Sequence, residues 1–522
     1  MPDSPFPGRW RALAVCMAAG VMIFTDVSIV NVALPAFQSG LGASPTDLSW
    51  VVAGYTLTFG LVLVPGGRLG DGRGRKKMFV VGLLLFAAGS VAAGLALNAT
   101  WLVVARLLQG AAGGLLNPQL LGLIQQMFSG RERGTAFGVF GAVNASSTAV
   151  GPLVGGLLLP LGGPELGWRW VFLVNLPFAA LALAFAPRLL PSDPPRAEGA
   201  RTSLDPLGAG LLGLAVVSVL LPLVLADRDP AGAPWWTIAV GAVLLAVFVG
   251  WERHYRRRGH DPLVTGRVLR SPGYALGTSL GTLYMAGSTA IFFVLTVFFQ
   301  QGLHYSPLQA GLSSLPYAVG SAAAAAVGGR IVGRVGRPLV VAGTVVMAVG
   351  LVAADVIVRS TDDPLTGLYT AGPLLLSGIG SGMVITPNQA LTLQEIPTDQ
   401  GGTAAGMQQT AQRVGSSIGI ALVAAVFFAV LGSSGTPYGE ALGTGLLVVV
   451  GFVSAAFLLG LADVLHGRRR RRPGAPPRRR RPGAPPSPED EYGTEHGDGA
   501  RARHCHDGHV SGGRSSAGHV YH

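Results

Sequence analysis

Apolar residues in this chain come in long, nearly continuous runs separated by short polar turns, not in the alternating pattern of strands or the one-sided stripe of soluble helices. The runs fall at about 12–34, 48–66, 78–97, 101–125, 134–158, 169–187, 205–225, 235–252, 273–300, 308–329, 338–358, 366–388, 402–431 and 441–463. About 20 apolar residues carry a helix across a ~30 Å hydrocarbon core. The pattern therefore predicts an all-α polytopic membrane protein of about fourteen spans. Pro118, Pro152, Pro222, Pro316 and Pro387 lie inside runs, where membrane helices bend around proline without ending.

Composition agrees. Of the 522 residues 49% are hydrophobic and only 12% charged, against about 25% in soluble chains. The net charge of +12 is a topology signal and not a nucleic-acid footprint, because its arginines and lysines crowd every second loop. Arg68, Arg73, Arg75, Lys76 and Lys77 share one turn, and Arg330, Arg334 and Arg337 another, while the opposite loops hold only Arg169, Arg228 and Arg359. The positive-inside rule then places both termini in the cytoplasm, in keeping with an even number of spans. Cys16 and Cys505 offer no disulfide framework, and the first run reads as an uncleaved span.

The turn from Gly67 to Lys76 is echoed by Gly329 to Pro338, which predicts two homologous halves. The expected division is an N-terminal six-helix bundle over 1–190, two extra spans with their linkers over 191–270, a C-terminal six-helix bundle over 271–465, and an Arg-rich disordered cytoplasmic tail over 466–522. In that tail His504, Cys505, His506 and His509 have no zinc-site spacing, so no metal is expected.

A few polar residues sit inside the runs. Asp26 lies in the first, where an ionisable group is costly and needs a partner, water or a proton. Arg106 in the fourth run reaches a similar depth, ~9–14 Å below the outer surface at 1.5 Å per residue. The two can pair, and a conformational change that alters burial or pairing would load or release a proton. Asn31 and Gln109 stand near enough to line the same cavity. In the thirteenth run Gln409 and Arg413 fall mid-membrane and are candidates for the substrate cavity. Tyr284, Phe292, Phe293, Phe298 and Phe299 could line an apolar pocket or face lipid. With Asp26 the one clear mid-membrane acid, a monocationic, neutral or amphiphilic substrate is expected over a dication.

The run Asp26-Val27-Ser28-Ile29-Val30-Asn31-Val32-Ala33-Leu34-Pro35 resembles the first-span signature of the fourteen-span drug:proton antiporters of the major facilitator superfamily, and the likeness covers roughly residues 8–465. Gly67, Asp71, Gly74, Arg75 and Lys76 match the superfamily's loop motif, with Gly72 where Arg is usual. Arg106 to Gly110 resembles its fourth-span motif. Gly138, Ser147, Gly151, Pro152, Gly155 and Gly156 match the fifth-span antiporter motif, with Ser147 in place of the middle glycine. The resemblance implies a gating role for the loop, close helix packing along the fifth span, and export of small lipophilic compounds against protons across the plasma membrane by a monomer among membrane lipids. It implies no cofactor besides the proton and no nucleic acid. Export of a native secondary metabolite, siderophore or lipid-like molecule is the alternative. No P-loop, H-E-x-x-H or nucleophile triad suggests an enzyme.

Overall fold

The computed structural model describes residues 8–192, 205–225, 232–258, 260, 263, 271–361, 363, 365–432 and 437–471. The expected tail lies almost wholly outside these residues, as do His504, Cys505, His506 and His509. Among the described residues the regular structure is helical throughout.

Seven helices form the first half: α1 (Arg9–Leu41), α2 (Pro45–Arg73), α3 (Arg75–Gly94), α4 (Ala99–Met127), α5 (Gly130–Leu161), α6 (Gly163–Leu173) and α7 (Asn175–Leu189). The run expected as one span over 169–187 is broken between α6 and α7. Pro177 lacks an N–H and its ring crowds the carbonyl four residues back, at Leu173, where α6 stops. Next come α8 (Pro206–Leu225) and α9 (Trp236–Arg257). The second half holds α10 (Pro272–Val297, continued by a π turn through Gly302), α11 (Pro307–Val335), α12 (Arg337–Ser360), α13 (Ala371–Gln394), α14 (Gly401–Leu431) and α15 (Tyr438–Arg471). The last helix runs past 465, where the tail was expected to begin.

Thirteen helical segments are long and apolar enough to cross a membrane, with α6 and α7 joined as one. The run expected over 366–388 became α13, which is 24 residues long but more polar. Its Ser377, Ser381, Thr386, Asn388, Gln389 and Thr392 are all buried, while Leu375, Leu376 and Ile379 are exposed, and it packs against both α11 and α12.

The repeat is longer than the turn that announces it. Ser44 caps α2 and Ser306 caps α11, each in a capping box, with Asp47 and Gln309 closing it and Pro45 and Pro307 opening the helix. Positions 44 and 306, 67 and 329, and 75 and 337 are all 262 apart. Gly74 and Gly336 at the following turns both have positive φ, 105° and 69°, which glycine alone adopts without strain. At the same interval Tyr55 corresponds to Tyr317, and Asp26 to Ser288.

The halves meet along two seams, α2 with α14 and α5 with α11. The hydrogen bonds that join the halves gather at one end, that of the two basic turns. The α8–α9 hairpin packs against α2 and α14 together, through Leu57, Val216, Leu220 and Val414 in one cluster and Val64, Phe248 and Met407 in another.

Candidate functional site

Asp26 is wholly buried inside the first half, where no water can pay for its charge, and the helices supply a full set of donors. Arg106 Nη1 donates to its Oδ2 at 2.6 Å. Asn175 Nδ2 donates to Oδ1 at 2.8 Å and Gln109 Nε2 reaches the same oxygen at 3.4 Å. Ser90 Oγ accepts from Gln109 at 2.8 Å and from Asn175 at 3.3 Å. Arg106, 2% exposed, also donates to Gln109 Oε1 at 3.0 Å and to the Val51 carbonyl at 3.2 Å. Its guanidinium lies 4.2 Å over the Tyr55 ring.

Asn175 and Ser90 were missed in the sequence. Asn175 is the first residue of α7, placed beside Asp26 by the helix break that Pro177 imposes. An asparagine two residues before a proline inside an apolar run is the signal that could have found it. Gln109, expected on a substrate cavity, is 0% exposed and belongs to the shell of the carboxylate instead. An ion pair this deep is stabilising only while every donor and acceptor is matched. Removing one partner leaves an uncompensated charge, at a cost of about 3–5 kcal/mol.

At the basic end, Asp71 bridges the halves. Its Oδ1 accepts from the Gly402 amide at 3.0 Å, and its Oδ2 from the Thr403 amide at 2.7 Å and Thr403 Oγ1 at 2.9 Å. These amides belong to the first turn of α14, where backbone donors have no helical acceptor and the helix dipole favours negative charge. Arg75 holds the carboxylate from behind, with Nη2 2.7 Å and Nε 3.1 Å from Oδ1. It also donates to the carbonyls of Gly122 and Thr398. Gln125 adds a bond to the Leu393 carbonyl at 2.7 Å. Gly67 lets the backbones approach, since a Cβ there would sit 2.2 Å from the Gly402 oxygen. Lys76 instead donates to the Pro187 and Leu190 carbonyls within its own half.

The fifth-span residues divide between two neighbours. Gly138 packs against α11 of the other half, and a Cβ on the facing Gly329 would lie 2.4 Å from Gly138 Cα. Gly151 and Gly155 pack against Ser28 and Ile29 of α1 in their own half. Ser147 is buried and Pro152 exposed. Gly156, expected to be a packing position, has open space where a side chain would go. The antiporter-like stretch thus joins the halves only at its start.

Arg413 on α14 reaches across the seam, with its guanidinium 4.5 Å from the centre of the Phe59 ring on α2. Gln409 lies one turn before it and is half-buried. Asn31 is exposed and makes only a long contact, 3.5 Å, to its own helix at Val27. Of the aromatics, Tyr284, Phe298 and Phe299 are buried in the second-half core. Tyr284 Oη lies 2.6 Å from Ser381 Oγ, and Tyr317 Oη 3.2 Å from Ser288 Oγ.

A helical membrane body in two repeated halves, latched at one end and carrying a caged carboxylate in one core, is the architecture of a membrane transporter. The description of the Major Facilitator Superfamily matches residues 16–420, and the chain belongs to that superfamily. It is a multi-pass plasma-membrane transporter and not an enzyme. It is 35% identical over 436 residues to the probable actinorhodin transporter of Streptomyces coelicolor, covering 83% of this chain and 75% of that one. It is also 35% identical over 427 residues to the puromycin resistance protein pur8 of Streptomyces alboniger, covering 81% and 82%. The solved structure of the human transporter MFSD10 matches with a TM-score of 0.61 over 87% of this chain and 100% of that one. At 16% identity that likeness shows the fold alone.

Proposed function

We propose that this protein is a proton-coupled antiporter that exports lipophilic drugs or antibiotics from the cytoplasm or inner leaflet by alternating access. The observation that carries the reading is the Asp26 cage. A carboxylate held by Arg106, Asn175 and Gln109 has one ready way to change its contacts, which is to take up a proton. Neutralised, it no longer holds Arg106, whose remaining acceptors are Gln109 and the Val51 carbonyl. The loop latch supports the other part of the cycle. With the basic end cytoplasmic by the positive-inside rule, the bonds from the start of α14 to Asp71 of α2 and the Gly138–Gly329 contact hold the inner side closed.

The test is efflux of a lipophilic dye from liposomes holding the purified protein, driven by an imposed pH gradient. The wild type is expected to respond to the gradient and Asp26→Asn to lose that response while remaining folded. Gradient-driven efflux undiminished in Asp26→Asn would overturn the assignment. A dedicated exporter of one native metabolite is the second reading, favoured by relatives each named for a single compound. Transport of only one compound out of a broad panel would select it.

A further inference from the structure

We propose that Arg413 is the receiving site for an anionic group, a carboxylate or phenolate, on the exported amphiphile. The proposal rests on the export reading and names its substrate class. The other charges described at membrane depth are paired or held at an end. Asp26 is matched by Arg106, Asp71 by Arg75, Asp355 by Arg359 and Asp463 by Arg337. Arg169, near the far end, donates to the Gly94 carbonyl. Among the described residues Arg413 has no carboxylate and no hydrogen-bond acceptor; its recorded partner is the face of Phe59. A ring face attracts the cation but satisfies none of its five N–H donors. A charged group at this depth calls for a partner, and an anion is the ligand a guanidinium binds most strongly, often through two parallel bonds.

The surroundings suit such a guest. Arg413 stands on α14 and touches α2, so a guest there would contact both halves and be released as they part. Gln409 follows the same helix face one turn away. On the same two helices are buried polar atoms without partners: both amide atoms of Gln408, which is 0% exposed, and the Tyr55 hydroxyl. The caged state of Asp26 removes the reason for expecting a cationic substrate. Its charge is cancelled by Arg106, so the uncompensated charge at the seam is positive.

The experiment compares three fluorophores in the liposome assay: a lipophilic carboxylate dye, the methyl ester of the same dye, and the cation rhodamine 6G. The variants are Arg413→Gln and Arg413→Lys. The wild type should clear the carboxylate in preference to the other two. Arg413→Gln should slow carboxylate clearance about tenfold or more, the ratio expected from losing one charge-assisted hydrogen bond, and leave the ester within about twofold; the ester thereby reports an intact fold. Arg413→Lys should restore part of the loss. Equal slowing of all three dyes in Arg413→Gln, or a wild type that prefers rhodamine 6G, overturns the anion site while leaving export standing. A wild type that moves none of the three overturns the export reading and the anion site with it.

Discussion

Replacing Asp71 by Asn changes one oxygen of the latch into an NH2 group and leaves its shape. If the remaining oxygen stays with Gly402 and Arg75, the new NH2 faces the Thr403 amide, donor against donor. The charge-assisted bond from the Thr403 amide is lost, and the bonds with the Gly402 amide and the Thr403 hydroxyl become neutral. Each charged bond is worth about 1.5–3 kcal/mol and a neutral one about 1. Loss of charge at the first turn of α14 removes up to about 1 more. At the lower ends of these ranges the change comes to about 3 kcal/mol, or about a 100-fold shift of the closed-to-open ratio at the basic end. Spin labels at Arg73 and Asp399, exposed residues on either side of the latch, would read it in a variant without Cys16 and Cys505. The distance distribution should gain a longer population in Asp71→Asn. A distribution identical to that of the parent, with the fold intact by gel filtration, would refute the latch.

Arg106→Leu strips Asp26 of its counter-charge and should cost about 3–5 kcal/mol, seen as a lower melting temperature in detergent, with Asp26→Asn added to Arg106→Leu recovering part of it. Gly329→Ala should open the basic end as Asp71→Asn does, because a Cβ there collides with Gly138 backbone at 2.4 Å; the same label pair checks it. Gly151→Ala meets Ser28 Oγ at 1.9 Å and should destabilise by about 1–3 kcal/mol, whereas Gly156→Ala should be neutral or slightly stabilising, both measured by thermal melting. Tyr284→Phe removes a hydroxyl bonded to Ser381 and should cost about 1 kcal/mol while leaving the pH dependence of efflux as in the wild type.

The sequence was most legible where one residue type had one physical meaning. Runs of apolar residues marked the long helices, though the helices Arg9–Leu41, Pro45–Arg73 and Tyr438–Arg471 outrun them, and an acid and an arginine at equal depth proved to be 2.6 Å apart. It was least legible where a role depends on which side of a helix faces which neighbour. Gln109 and Asp26 lie on different spans, and nothing in their spacing tells that they share one buried shell. The fifth-span glycines look alike in one dimension, but Gly138 meets the opposite half, Gly151 meets α1 and Gly156 meets nothing. Asn175 was hidden because a break inside an apolar run leaves hydropathy unchanged. The repeat was read from one turn alone, and the matching capping boxes at Ser44 and Ser306 were the further evidence for it.

To the acyl chains of the bilayer, the two flanks of this molecule are unlike doors. On one, α8 lies over both α2 and α14, shuttering the crevice between them with leucine and valine. On the other, α5 and α11, which border the glycine contact, leave Val150, Leu157, Val319 and Val327 exposed. The two seams between the halves thus differ in cover: the α8–α9 hairpin lies over one and not over the other.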